Sequence, residues 1–350
     1  MWSSLFLYIA AAFYALLVVS TVTVVLLENR QPAKTIAWTI VIVMLPVIGL
    51  VIFYFFGQNI RKERYISRKQ YSLLTRRMLA DVRCLPSSAC PPKYRPLVQL
   101  FDHTNRAVLT AVRRMEGYND GADWLVALLR EFAAARETIH LETYIIEDDP
   151  VGRLVRDALA DAARRGVAVR LIYDDVGCWH VKPRFFRPLA EAGAQVEPFL
   201  PVRFPSLTHK VNYRNHRKVC VIDDRVAFIG GMNLALRYVS RAKKVWRDVH
   251  VRIEGGAVAD LQRLFLSDWL FVTGERLPDG VWKDHVRQQP EHAAGTRGEV
   301  ADGPPLLLQI VPSNPVSRYP EIMYGLTWII QHARCLLYTS PSPRDYAASR

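Results

Sequence analysis

Two long apolar runs open the chain. Leu5 to Leu27 and Thr35 to Phe56 carry no charge over 23 and 22 positions, and a helix needs roughly 20 apolar residues to cross a bilayer. The first run lacks a basic leading segment and exceeds the apolar core of a signal peptide, so a cleaved leader is the poorer alternative. Pro46 and Gly49 interrupt the second run. In lipid the backbone has no better partner than its own helix, so these residues predict a kink rather than an end. Residues 1–57 are therefore expected to form a transmembrane helical hairpin. Residues 58–95 are polar, basic and close on PSSACPPKYRP, which predicts a juxtamembrane linker.

From about Leu97 the pattern alternates between helical and extended periods. DWLVALLREFAAARE reads as a helix, TIHLETYII as a strand, and Asp148 to Arg165 as a helix closed by Gly166. VAVRLIYDDVG is a near-continuous apolar run of the kind found in strands covered on both faces. A helix around FFRPLAEAG and a strand at AQVEPFL follow, then strands at Tyr213–Asp223, Val226–Ile229 and Trp246–Glu254. Leu261–Val272 has the apolar spacing of a core helix. This succession predicts an α/β layer domain over 96–274, a mixed sheet flanked by helices. Residues 275–304 read as a polar loop, and order is expected to resume from 305.

Charge adds a direction. With 46 Lys and Arg against 33 Asp and Glu, the net charge of +13 favours anionic company, lipid or nucleic acid. Arg61, Lys62, Arg64, Arg68, Lys69, Arg76 and Arg77 follow the second apolar run, whereas the ENRQPAK connection holds only Arg30 and Lys34 beside Glu28. The positive-inside rule then places the N-terminus and everything after Gly57 in the cytoplasm. The basic cluster would also hold anionic headgroups at about 1 kcal/mol per residue. Five cysteines without regular spacing suggest reduced thiols rather than a disulfide or zinc framework.

The chemistry concentrates in NYRNHRKVCVIDDRVAFIGGMN, residues 212–233. On a strand, Arg214, His216 and Lys218 share one face while Val219 and Val221 enter a core. Clustered cations call for an anion between them, and a neighbouring cation lowers an imidazole's pKa, keeping His216 neutral and nucleophilic. An imidazole flanked by fixed cations suits attack on phosphorus, with the cations taking up oxygen charge and no metal or cofactor required. Gly230 and Gly231 would let backbone approach a phosphate, and Asn233 adds an amide donor. Asp223 lies at the turn with parity opposite to His216 and reads as an orienting group.

Taken together, residues 216–233 match His-x-Lys-x4-Asp-x6-Gly-Gly/Ser-x-Asn at six fixed positions, which chance would produce on the order of once in 10⁷ to 10⁸ starts. The stretch resembles the phospholipase D superfamily. ENRQPAKTIAW, LPVIG, HLETYIIEDDPVGR, AARRGVAVRLIYDDVG, NYRNHRK, WRDVHVRIEG and FLSDW, in order, narrow the resemblance to bacterial cardiolipin synthases over about residues 1–335. The resemblance implies a multi-pass inner-membrane phosphatidyltransferase that joins two phosphatidylglycerol molecules, releasing glycerol, without metal or nucleotide. It further implies His216 as nucleophile of a phosphatidyl-histidine intermediate, Lys218 and Asn233 as phosphate ligands, and Asp223 as support.

That family carries the motif twice, and this sequence carries it once. His209, His250, His285, His292 and His332 lack its spacing or partners. The expectation is a truncated second half beginning at 305–335, with 336–350, containing LLYTSPSPRD, as a non-native tail. A phospholipase, a membrane-tethered phosphodiesterase or nuclease, and an inactive membrane-bound binding fragment stay open as alternatives. The expected partners are anionic phospholipid and the membrane rather than nucleic acid. A second copy of the chain is a further candidate partner.

Overall fold

The structure is a computed structural model, described over residues 2–28, 32–45, 47–53, 84–201, 214–239, 246–275, 306–313 and 320–333. Helix α1, Trp2–Glu28, contains the stretch Leu5–Thr23, which is long and apolar enough to cross a membrane and is not buried by the protein. Its hydroxyls bond inward: Ser20 and Thr21 donate to the Leu17 carbonyl and Thr23 to Val19, at 2.8–2.9 Å. Such back-bonding satisfies these three hydroxyls within the helix itself.

The second apolar run is divided. Helix α2, Pro32–Met44, stops before the proline, and α3, Ile48–Ile52, restarts after Val47 at φ 63°. Gly49 packs so closely on the Val41 carbonyl that a methyl group there would overlap it. The run is two short helices that meet where a kink is expected, since proline offers no amide to the ladder and crowds the preceding turn. Among the described residues only α1 has the length to cross a membrane. The basic cluster expected to set topology lies outside the described residues.

The remaining elements form one layered domain. In chain order they are α4 Arg95–Asn105, β1 Leu109–Tyr118, α5 Gly121–Ala134, β2 Thr138–Thr143, α6 Pro150–Arg164, β3 Ala168–Asp174, α7 Arg187–Glu191, β4 Gln195–Phe199, β5 Val219–Ile222, β6 Val226–Gly230, α8 Leu236–Val239, β7 His250–Gly255, α9 Ala257–Thr273, β8 Leu306–Gln309 and α10 Glu321–Gln331. The strands make one mixed sheet of eight, ordered β4-β3-β2-β5-β6-β7-β1-β8. Strands β2, β3 and β4 are parallel and the other pairings antiparallel.

Both sheet faces are covered, which is why β2 and β5 are buried at every position. On one face, Leu128 and Phe132 of α5 with Val155 and Leu159 of α6 meet Ile139, Leu171, Ile222 and Phe228. On the other, Val258 and Leu261 of α9 meet Val219, Val221 and Ile253. The α6 termini follow from local chemistry. The Asp149 side chain accepts from the Gly152 amide at 2.9 Å, Pro150 occupies the first turn, and Gly166 leaves the helix at φ 92°.

Three features differ from the sequence reading. The strand expected over 213–223 is ordered as β5 only from Val219, and residues 214–218 form an irregular lead-in. Strand β1 was not anticipated, because Arg113 and Arg114 break its alternation at a bulge. Residues 306–309, expected within a second half, pair with β1 in this same sheet, and α10 packs Gly325 against Phe101 of α4. The expected loop over 275–304 and the tail over 336–350 lie, apart from Glu275, outside the described residues.

Candidate active site

The parallel strands end together at one edge of the sheet, where open α/β folds place their sites. Because β5 runs antiparallel to β2, with Glu142 opposite Val219, its lead-in begins where β2 ends. Gly230 pairs with His250 at the same edge. Topology thus gathers Tyr144, Asp174, His216, Lys218, Gly230 and His250.

His216 is exposed, and its ring lies 4.5 Å from the Tyr144 ring, tilted by 49°. Lys218 is 5% exposed; its ammonium donates to the His216 carbonyl at 2.9 Å and sits 4.9 Å above the Tyr144 ring. Tyr144, just beyond β2, is therefore a shared platform for both motif side chains. Burial lowers the His216 pKa below its usual 6.5, and the Lys218 charge lowers it further against the pull of Asp174 and Asp248. Burial also brings Lys218 down to about 8, opposed by the same two carboxylates. An imidazole neutral at pH 7 thus stands beside a cation close to its own titration.

The other candidates are placed differently. Arg214 lies against buried Asp174, Nη1 to Oδ1 at 3.7 Å. Asp174 itself accepts from the Val176 and Gly177 amides through Oδ1 and from the Asn215 amide through Oδ2, at 2.7–3.1 Å. The Gly230 amide donates to the Lys218 carbonyl at 3.3 Å and that of Gly231 to Val249 at 2.9 Å. What approaches these glycines closely is protein: His250 and the Val249 carbonyl at Gly230, the Asp248 carboxylate at Gly231. Asn233 is buried, accepting from the Ile145 amide at 3.1 Å and donating to the Tyr238 hydroxyl at 2.7 Å. It therefore ties the loop after β2 to the segment after β6.

Asp223 is away from this cluster, at the far end of β5. With φ 50°, and Asp224 at 47°, it forms the tight turn into β6. Its carboxylate accepts from the Arg136, Glu137 and Thr138 amides at 2.8–2.9 Å, fixing the start of β2. In the sequence His250 lacks the motif's partners, and Asp248 carries no mark of its own. His250 is buried, stacks on Trp124 at 4.7 Å, and has its pKa lowered to about 3 by burial and by Lys218. His332 is exposed just past the end of α10, whereas His209, His285 and His292 lie outside the described residues.

Comparison with known proteins bears on this arrangement. A family described as "Cardiolipin synthase, PLD-like domain" matches residues 128–269, and one described as "Phospholipase_D-nuclease N-terminal" matches residues 7–58. The cardiolipin synthase of Geobacillus kaustophilus is 36% identical over 259 residues, 73% of this chain and 52% of that protein. The major cardiolipin synthase of Bacillus subtilis is 30% identical over 342 residues, 94% of this chain and 68% of that protein. The chain spans little more than half the length of the first curated relatives it matches, 52% to 57%.

Proposed function

The chain belongs to the bacterial cardiolipin synthases of the phospholipase D superfamily, and from that premise we propose that it supplies a nucleophilic centre for phosphatidyl transfer between two phosphatidylglycerol molecules. The observation that carries this reading is the exposed imidazole of His216 beside the nearly buried ammonium of Lys218. His216 attacks the phosphorus of one lipid; a P–N bond forms, and the P–O bond to the headgroup glycerol breaks as that oxygen takes a proton. A headgroup hydroxyl of a second phosphatidylglycerol then attacks the same phosphorus, gives up its proton, and breaks the P–N bond to leave cardiolipin. Lys218 stabilises charge on the non-bridging oxygens, as preorganised cations do in a water-poor site.

The departing glycerol needs a proton donor. Buried His250 is not available to it, and exposed His180, on the loop after β3, has no aspartate at the motif's spacing. A second copy of the chain, meeting the first about a twofold axis, would bring one. The test is product analysis in phosphatidylglycerol vesicles with denaturing quench. Phosphatidyl on His216 with release of cardiolipin and glycerol is expected; phosphatidate in place of cardiolipin would mean hydrolysis, and no labelled His216 would end the reading.

The two titrations set the pH profile. His216 must be neutral, so its limb lies on the acid side, below the ordinary histidine value. Lys218 must be protonated, so the rate of intermediate formation falls as pH rises through about 8. Lys218→Arg, which keeps its charge, is expected to remove that alkaline limb even if the plateau is lower. An unchanged limb in that variant would assign it to another group.

We also read the N-terminal segment as a two-pass inner-membrane anchor with a cytoplasmic domain, on the strength of the second apolar run and the basic cluster beyond it. A reporter fused after residue 95 is expected to be shielded from impermeant reagents outside intact cells. Labelling there would reverse the orientation.

A further inference from the structure

Beneath the lead-in to β5 lies a buried polar cluster that the transfer chemistry does not use. Residues 214–218 alternate in direction although they are not a strand. His216 and Lys218 turn to Tyr144, whereas Asn215 and Arg217 turn inward. The Asn215 side-chain amide donates to Glu142 Oε1, its carbonyl oxygen accepts from the Arg217 amide at 3.2 Å, and its own backbone amide reaches Asp174 at 2.9 Å. Arg217 Nη1 pairs with Asp268 of α9, and Nη2 donates to the Ser313 carbonyl at 3.0 Å. Glu142 and Asp268, from a strand and a helix on opposite sides of the loop, are 0% and 1% exposed.

Asp268 is a neighbour of Glu142 and acts on its proton through both its charge and its side-chain oxygens. Two neighbouring buried carboxylates with one guanidinium, paired to Asp268, do not both stay ionised. Asp268 has Arg217 as its ion-pair partner, while Glu142 Oε2 is buried with no donor directed at it. An oxygen that lacks a donor and faces a carboxylate is in the position of a hydroxyl. The balance of burial and neighbouring charge agrees: Glu142 is pushed well above the usual carboxylate range, by burial first and by Asp268 second.

We propose that Glu142 and Asp268 are positioning residues, a carboxylic acid and a carboxylate sharing one proton, which through Asn215 and Arg217 lock the loop that presents His216 and Lys218. Glu142 donates its hydroxyl to Asp268 and accepts from Asn215; Asp268 holds Arg217. Neither touches substrate. The inference rests on the proposed nucleophile only for its kinetic consequence, since the geometry of the loop can be read without it.

The test compares isosteric amides in the full 350-residue chain, reconstituted in phosphatidylglycerol vesicles. Glu142→Gln keeps an acceptor for Asn215 and a donor for Asp268, so it is expected to stay within about threefold of wild type in His216 phosphatidylation. Asp268→Asn removes the charge that holds Arg217 and is expected to lose about 10²-fold, the usual effect of misplacing a reacting group by an ångström. The infrared carbonyl band of a buried protonated carboxyl should vanish in Glu142→Gln and persist in Asp268→Asn. His216 ring-proton shifts, set by the Tyr144 ring, should survive the first substitution and not the second. These two spectroscopic readouts stand even if His216 transfers no lipid. Equal tolerance of both amides, or a carboxyl band that Glu142→Gln leaves unchanged, would overturn the proposal.

Discussion

Replacing His216 by alanine is expected to eliminate the phosphatidyl-enzyme intermediate altogether, the largest single effect in this protein. Tyr144 packs against the exposed ring while Lys218 bonds the His216 carbonyl, and no other described histidine has the motif's lysine and aspartate spacing. Loss of a covalent nucleophile costs on the order of 10⁶ in rate where it has been separated from binding. Lys218→Ala is expected to fall about 10² to 10³ instead, since it removes one charge-stabilising donor and keeps the attacking atom. Quenched labelling with radioactive phosphatidylglycerol separates the two: no label in the first variant, slow labelling in the second. Undiminished label in His216→Ala would place the nucleophile elsewhere.

Asp223→Ala is expected to act on stability rather than on the reacting centre. Its carboxylate gathers three backbone amides of the segment leading into β2. Each bond to a charged acceptor contributes about 1.5–3 kcal/mol, and the low end applies where the donors are partly exposed. Alanine also tolerates the left-handed turn less well than aspartate. Three bonds at that low end sum to about 4.5 kcal/mol, which corresponds to roughly 9–18 °C in Tm for a domain of this size. Thermal unfolding followed by circular dichroism in detergent gives the value. An unchanged Tm with abolished labelling would instead make Asp223 a reacting group.

Much of this arrangement can be read from the chain itself, and the exceptions have physical causes. The helix capped by Asp149 and closed at Gly166, the buried strands β2 and β3, and the turn at Asp223–Asp224 announce themselves through apolar runs and terminus chemistry. So does the sidedness of His216 and Lys218 against Val219 and Val221, which survives even though the first two are not on a strand. The lead-in escaped because its inward side chains, Asn215 and Arg217, are polar, and apolar periodicity cannot report a polar interior. Tyr144 and His250 carry no local mark either. Their roles depend on which strands meet at the sheet edge, a long-range pairing that spacing along the chain does not encode. The second apolar run is the less complete case: its composition is continuous, but the described backbone divides into two short helices about its proline.

Strand β5 also gives the motif's spacing a meaning as measurement. Four residues, Val219 to Ile222, separate the lysine at the sheet's open edge from the aspartate that clasps the opposite end. The interval is a ruler with fixed ends: Asp223 is held by amides at the start of β2, and Lys218 must surface where β2 finishes. Lengthening or shortening it by a single residue would rotate one terminus through half a turn of the pleat, sending either the ammonium into the apolar layer or the carboxylate away from its amides. Substitutions among those four positions can exchange one apolar side chain for another, but their number cannot change without uncoupling the reactive edge from its anchor.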